Sequence, residues 1–266
     1  MSPNSKAVKE TAKTVFMKNP LNMIIAGLVF LFSFFISIYS ASVLAYIGFE
    51  FVSELISTVL FITLVIPIFF GLIRYYWRAL FSVVDNPISV FYYLTDKKKY
   101  FKCLKLIFSV ILRALPVVFV IYLPYFTVWL ITQESTYSAF NAAMPIWTAN
   151  LSNVVIILNI LADISTKLYF LRFYIAPVLL VADEDMDVSE AIHMSRIISN
   201  KSTIEFIYLI FSFIGWILLS VLIIPIVFTL PYFLLSFAVH VRFVIAEYNH
   251  HITDMQNNEQ QFITVN

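Results

Sequence analysis

Charged residues are spaced so unevenly along this chain that its apolar runs stand out by length. Asn19 to Phe49 contains no Asp, Glu, Lys or Arg, and neither does Leu55 to Ile73. A helix needs about 20 mainly apolar residues to cross the hydrocarbon of a bilayer, so both runs predict spans. The same reading along the chain predicts six transmembrane helices, at about 20–46, 55–77, 106–131, 151–182, 203–222 and 228–246. The fourth is too long to be a simple crossing. Leu151 to Ala182 would make about 48 Å of helix against a hydrocarbon core of roughly 30 Å, so it must tilt, protrude or break.

Between the spans the pattern turns amphipathic. Residues 5–18 form a surface helix that ends at Asn19, and Pro20 suits the first turn of the next helix, where its missing N–H costs nothing. Asn86 and Pro87 give cap and first-turn signals for a second surface helix at 87–95. Asp187 and Glu190 have capping-box spacing, and Val188, Ala191, Ile192, Ser195 and Ile198 fall on one helical face, which predicts a third at 188–199. Ser202 and Glu205 repeat the capping-box spacing and place the start of the fifth span. The expected fold is all-α: one integral membrane helical bundle over residues 1–246, then a polar tail over 247–266.

Composition agrees with that picture. The chain of 266 residues is 61% hydrophobic and 12% charged, against roughly 45–50% and about 25% in soluble domains. Its net charge of +1 hides an asymmetry. Lys6, Lys9, Lys13 and Lys18 precede the first span, and Lys97, Lys98, Lys99, Lys102 and Lys105 crowd one loop. The connections carrying Glu50 and Glu54, then Glu134, then Pro225 to Pro231 have no Lys or Arg. By the positive-inside rule both ends lie in the cytoplasm, as in a multi-pass protein of a bacterial plasma membrane. The early lysines and apolar run have the flavour of a signal peptide, but the run far exceeds a signal h-region and is read as retained. The 97–105 run is expected to meet anionic lipid headgroups rather than nucleic acid.

Ionisable groups inside spans are the sharpest candidates, because one at a helix centre costs about 2.5–3.5 kcal/mol on insertion scales. Asp163 and Lys167 are four residues apart, acid first, which suits a local ion pair. With Arg172 they could instead line a polar path or an anionic-ligand pocket. Arg113 is close enough to the inner end of its span to reach the headgroups. Only four glycines occur and no two form GxxxG, so close crossings must use Ala and Ser. No HExxH, GxSxG or GxxxxGK[ST] pattern is present. The acidic run Asp183, Glu184, Asp185 and Asp187 reads as a cap opposing neighbouring basic residues, and neither metal nor cofactor is expected. Arg74 and Asp85 share an 11-residue spacing with Arg172 and Asp183, a faint echo of a parallel repeat.

Three motifs in the C-terminal half occur in a telling order: EAIHMSRIISN at 190–200, FSFIGWILLS at 211–220 and LPYFLLSFAVHVRF at 230–243. With YFLRFYIAPVLLVAD before them, they resemble a family of bacterial multi-spanning membrane proteins known only as a domain of unknown function. Asn200 and Lys201 stand where members often have Gly-Lys, and the region around Asp163 lacks their Pro-Gly break. The resemblance implies the membrane fold and supplies no reaction. On the residues themselves, Ser195 and Arg196 are expected to dock the third surface helix to the bundle. Ser212 and Gly215 would permit a close crossing, with Trp216 packed inside a span. The expected role is a nonenzymatic accessory, assembly or stress-related component with a protein partner or second copy. The alternative is a carrier or channel for a small anionic or amphipathic solute.

Overall fold

The computed structural model describes residues 5–46, 48, 50–83, 85–132, 151–220 and 225–264, and every regular element among them is helical. Five helical stretches are long and apolar enough to cross a membrane: Pro20–Ser40, Val52–Ala79, Lys97–Ile131, Asn153–Ala182 and Ile226–His250. The protein is therefore an all-α membrane bundle. Its residues divide into two compact units, Met1–Leu106 with Ile175–Asn266, and Ile107–Tyr174.

In the first unit α1 (Ser5–Lys18) leads into α2 (Pro20–Tyr46) at the predicted proline. α3 (Glu50–Leu60) returns beside α2, where the Ser37 and Ser57 hydroxyls each donate to the other's backbone carbonyl at 3.2 Å. That exchange is the small-residue crossing expected of a glycine-poor chain. Phe61–Val65 then widens into a π-helical turn before α4 (Ile66–Ala79), which carries Pro67 in its first turn. Pro67 cannot donate to the Thr63 carbonyl, and the widened turn absorbs the defect. Tyr76, fully buried near the end of α4, donates to the Met23 carbonyl at 2.9 Å and fixes α2 against α4.

A 3-10 turn (Pro87–Phe91) and α5 (Tyr92–Thr95) occupy the predicted 87–95 segment, with Asn86 as its cap. This segment folds back onto α4 because position 71 is glycine. A Cβ there would overlap the Val90 carbonyl. α6 (Lys97–Ile131) starts nine residues before the expected span. The Asp96 side chain accepts from the Lys98 N–H at 2.9 Å, so the lysines form the first turns of the helix rather than a loop.

The second unit holds the rest of α6, which carries Pro116 and Pro124 without interruption, and α7 (Leu151–Phe170). The long predicted fourth span does break. After α7 the chain tightens to 3-10 over Leu171–Phe173 and restarts as α8 (Ala176–Ala182), with Pro177 in its first turn. Pro177 has no N–H for the Phe173 carbonyl, so the break falls where that bond is missing.

α8 already belongs to the first unit, where α9 (Val188–Phe211) starts at the predicted Asp187 cap, whose side chain accepts from the Ser189 N–H at 3.0 Å. It does not stop at 199. The expected third surface helix and the start of the fifth span are one helix, because Ser202 donates back to the Ile198 carbonyl at 3.2 Å instead of capping a new start. The helix ends at Phe211 and resumes as α10 (Ile214–Leu219), so 203–222 is not one uninterrupted span. Residues 221–224 lie outside the described residues, as does the connection with Glu134. α11 (Ile226–Thr264) carries Pro231 and continues through most of the predicted polar tail.

α1 is more than a surface helix. Val8 and Ala12 are fully buried, Tyr232 of α11 donates to the Lys9 carbonyl at 3.2 Å, and the Lys9 ammonium donates to the Ser212 carbonyl at 2.6 Å. The lysine thus caps the carbonyl end of α9 with a positive charge, the sign that a helix C-terminus favours. Burial in turn lowers the Lys9 pKa.

Candidate functional site

The strongest assembly of charge lies in the first unit, where α4, the 85–96 segment, α6 and the loop after α8 meet. Arg74 and Arg78 sit one turn apart at the end of α4, and both face Asp85, at 3.9 and 3.0 Å. The 11-residue spacing of Arg74 and Asp85 thus becomes an ion pair. Glu184 is the hub. Its carboxylate accepts from Lys99 at 2.8 Å, from the Tyr92 hydroxyl at 2.9 Å to each oxygen, and from Arg74 Nε at 3.4 Å. Lys102 donates to the Glu184 backbone carbonyl, and Lys99 also reaches the Tyr92 hydroxyl. Lys105 pairs with Asp187 at 3.5 Å.

Two details make the hub specific. The Arg74 guanidinium lies over the Tyr92 ring at 3.6 Å and the Lys99 ammonium at 4.0 Å, so the ring holds two cations toward one carboxylate. Lys99, Lys102 and Lys105 recur every three residues and share one side of α6, while Lys97 and Lys98 are exposed. Partial burial pushes the Glu184 carboxyl up, but the Lys99 hydrogen bond and the charges of Lys99 and Arg74 outweigh it and hold its pKa below the usual carboxylate value. The Ser189 N–H likewise holds Asp187 down, with help from Lys105. Tyr93, buried against Phe70 at 5.8 Å, is raised by burial and by the charge of Glu184.

Such an arrangement can clamp four segments together and bind anions at its unpaired edge. Among the described residues no three His, Cys, Asp or Glu side chains converge to hold a metal ion.

The sequence candidates fare unevenly. Asp163 and Lys167 do pair, at 2.5 Å, as an i,i+4 bridge whose side chains are 50% and 74% exposed. Arg172 lies over the Tyr169 ring at 5.6 Å in the 3-10 turn. Arg113 is exposed on α6. Ser195 is fully buried, whereas Arg196 on the same helix is exposed. Ser212 donates to the Leu209 carbonyl at 2.6 Å and offers its own carbonyl to Lys9, so it serves a helix end rather than a crossing. Gly215 needs no glycine for close approach, since a Cβ there meets nothing within 4 Å. Trp216 is 48% exposed rather than packed inside. The SFIGW motif thus marks a helix break whose buried member is Phe213, at 5.3 Å from both Tyr232 and Phe233.

Sequence reasoning set the acidic run against basic neighbours but missed Tyr92 as their shared platform. The three-residue recurrence of Lys99, Lys102 and Lys105 was the available signal. Comparison of the chain with protein-family models, with characterised proteins and with solved structures gives no match.

Proposed function

We propose that the protein is a nonenzymatic accessory, assembly or stress-related component in a bacterial plasma membrane, and that it belongs with the multi-spanning family its C-terminal motifs resemble. The observation that carries this reading is the Glu184 hub. Arg74, Arg78, Lys99, Lys102 and Lys105 each engage a carboxylate or carbonyl of their own unit, as a rigid platform requires and a solute path does not. Lys97 and Lys98, exposed at the rim, are left to meet anionic headgroups, a protein partner or a second copy.

The basic platform faces the cytoplasm in this reading, by the positive-inside rule. Arg242 of α11 donates to the Leu80 carbonyl at the end of α4, at 3.4 Å, which supports placing the C-terminal tail on the same side as Arg78. This reading takes an even number of crossings, with α9 and α10 contributing to the fifth of six.

Reconstitution tests the role. Purified full-length protein in anionic vesicles is expected to give no uptake of small anions above empty vesicles. A photo-crosslinker at Lys98 is expected to join it to another polypeptide in native membranes. Saturable uptake abolished by replacing Asp163, Lys167 and Arg172 together would overturn the proposal in favour of a carrier.

A further inference from the structure

Away from the ionic hub, the seam between α9 and α11 holds a cleft that the role above does not use. The two helices meet closely where Phe206 stacks on His240 at 5.7 Å and approaches Phe237 at 5.5 Å. One turn further toward the C-terminus of α11 they stand opposite each other at Ser202 and Val244. Ser202 puts no aromatic ring there, and its hydroxyl turns back to the Ile198 carbonyl at 3.2 Å. A cleft of about 160 Å³ remains, with Ile198 and Val244 in its apolar lining.

Charge is ordered around that lining. Lys201 and Glu205 stand one turn apart on α9, and Glu247 of α11 borders the same space. Lys201 and Glu247 are both exposed, so a ligand can reach them. Among the described residues Lys201 enters no ion pair, and its ammonium keeps its donors. Beyond Lys201 the outward face of α9 turns apolar. Ile204, Tyr208 and Phe211 are 68%, 66% and 62% exposed and form a row of roughly 10 Å.

Carboxylates, then a cation, then an apolar row is the order that a phospholipid complements when its headgroup ends in an ammonium. An anionic headgroup would bring its charge toward two carboxylates, and a soluble zwitterion would leave the row uncovered. We propose that this cleft binds one phospholipid of the phosphoethanolamine type. Its ammonium meets Glu205 and Glu247, its phosphate meets Lys201, and an acyl chain follows Ile204, Tyr208 and Phe211. The assignment rests on α9 and α10 forming a membrane crossing and not on the accessory role.

Native mass spectrometry of the delipidated full-length protein is the test. Phosphatidylcholine keeps both headgroup charges but has no N–H to donate, phosphatidylglycerol donates but is anionic, and glycerophosphoethanolamine keeps the headgroup without the chains. One phosphatidylethanolamine per chain is expected, bound about tenfold more tightly than either other lipid, with no adduct of the soluble headgroup at the same concentration. Glu205→Gln with Glu247→Gln is expected to erase the preference over phosphatidylcholine. Lys201→Gln is expected to weaken all three lipids about fivefold, because the phosphate is common to them. Equal binding of the three lipids, a preference unchanged by the paired glutamines, or an equal adduct of glycerophosphoethanolamine would overturn the proposal. In nanodiscs Ile204→Cys is expected to be shielded from a water-soluble maleimide. Labelling there would remove the crossing and the lipid site together, whereas a shielded cysteine without the lipid preference would remove the lipid site alone.

Discussion

Glu184→Gln removes one charge from the hub and keeps the side-chain shape. The carboxylate faces Lys99, Arg74 and the Tyr92 hydroxyl at 2.8–3.4 Å, with side-chain exposures of 28% for Lys99, 12% for Arg74 and 40% for Glu184 itself. Severing a buried charge pair costs about 3–5 kcal/mol, whereas an exposed one is worth about 0–1. Glu184 is exposed enough that solvent screens much of its field, which places the loss at about 1–2 kcal/mol, a factor of roughly 5–30 in local opening. Hydrogen exchange on the full-length protein in nanodiscs reads this directly. Amides of the 183–190 segment and of the first turns of α6 are expected to speed up together, while α2 stays unchanged. Acid should mimic the mutation. The folded carboxyl titrates below its ordinary value of 4.5, so its contribution is complete above about that pH and is lost as pH falls through the lower folded value. Faster exchange in 183–190 alone, with α6 unaffected, would refute the clamp.

Further outcomes follow from single contacts. Gly71→Ala drives a methyl into the Val90 carbonyl and is expected to cost about 1–3 kcal/mol in thermal unfolding. Gly215→Ala, in open space within α10, should be neutral or stabilise by about 0.5–1 kcal/mol; a loss as large as that at Gly71 would restore the close crossing. A double-mutant cycle on Asp163 and Lys167 should give a coupling of at most about 0.5 kcal/mol, as for other exposed i,i+4 pairs, and a value several times larger would point to a desolvated site. Lys9→Met keeps the stem but loses the donor to the Ser212 carbonyl, and should lower stability by about 1 kcal/mol with faster exchange at the end of α9. Unchanged exchange there would mean that Lys9 does not hold the break.

Much of the helix register was legible because charges and prolines are read locally. α1 and α2 begin and end where the lysines, Asn19 and Pro20 place them. The excess length of Leu151 to Ala182 called for a tilt, a protrusion or a break, and Pro177 shows why a break falls after Phe170. Local signals failed where one residue type serves two purposes. Ser202 with Glu205 has the spacing of a helix start, yet a serine hydroxyl can bond equally well to the carbonyl one turn earlier, and the continuous α9 takes that course. Gly215 and Trp216 drew attention as packing residues, but their neighbours in space could not be read from a motif. The hub was half visible. The acidic run read as a cap opposing neighbouring basic residues, but the 97–105 lysines read as facing lipid headgroups, and nothing local showed that the 3-10 turn would set the Tyr92 ring beneath Arg74 and Lys99.

The most direct test of the claim that these charges serve architecture rather than a solute path is a lipid-embedded cryo-EM structure that resolves them. The account predicts Glu184 engaged with Arg74, Tyr92 and Lys99, and Asp163 closed on Lys167 with no solvent-connected cavity beside it. A water-filled passage or bound solute at Asp163, Lys167 and Arg172, or a Glu184 released from its cations, would contradict it.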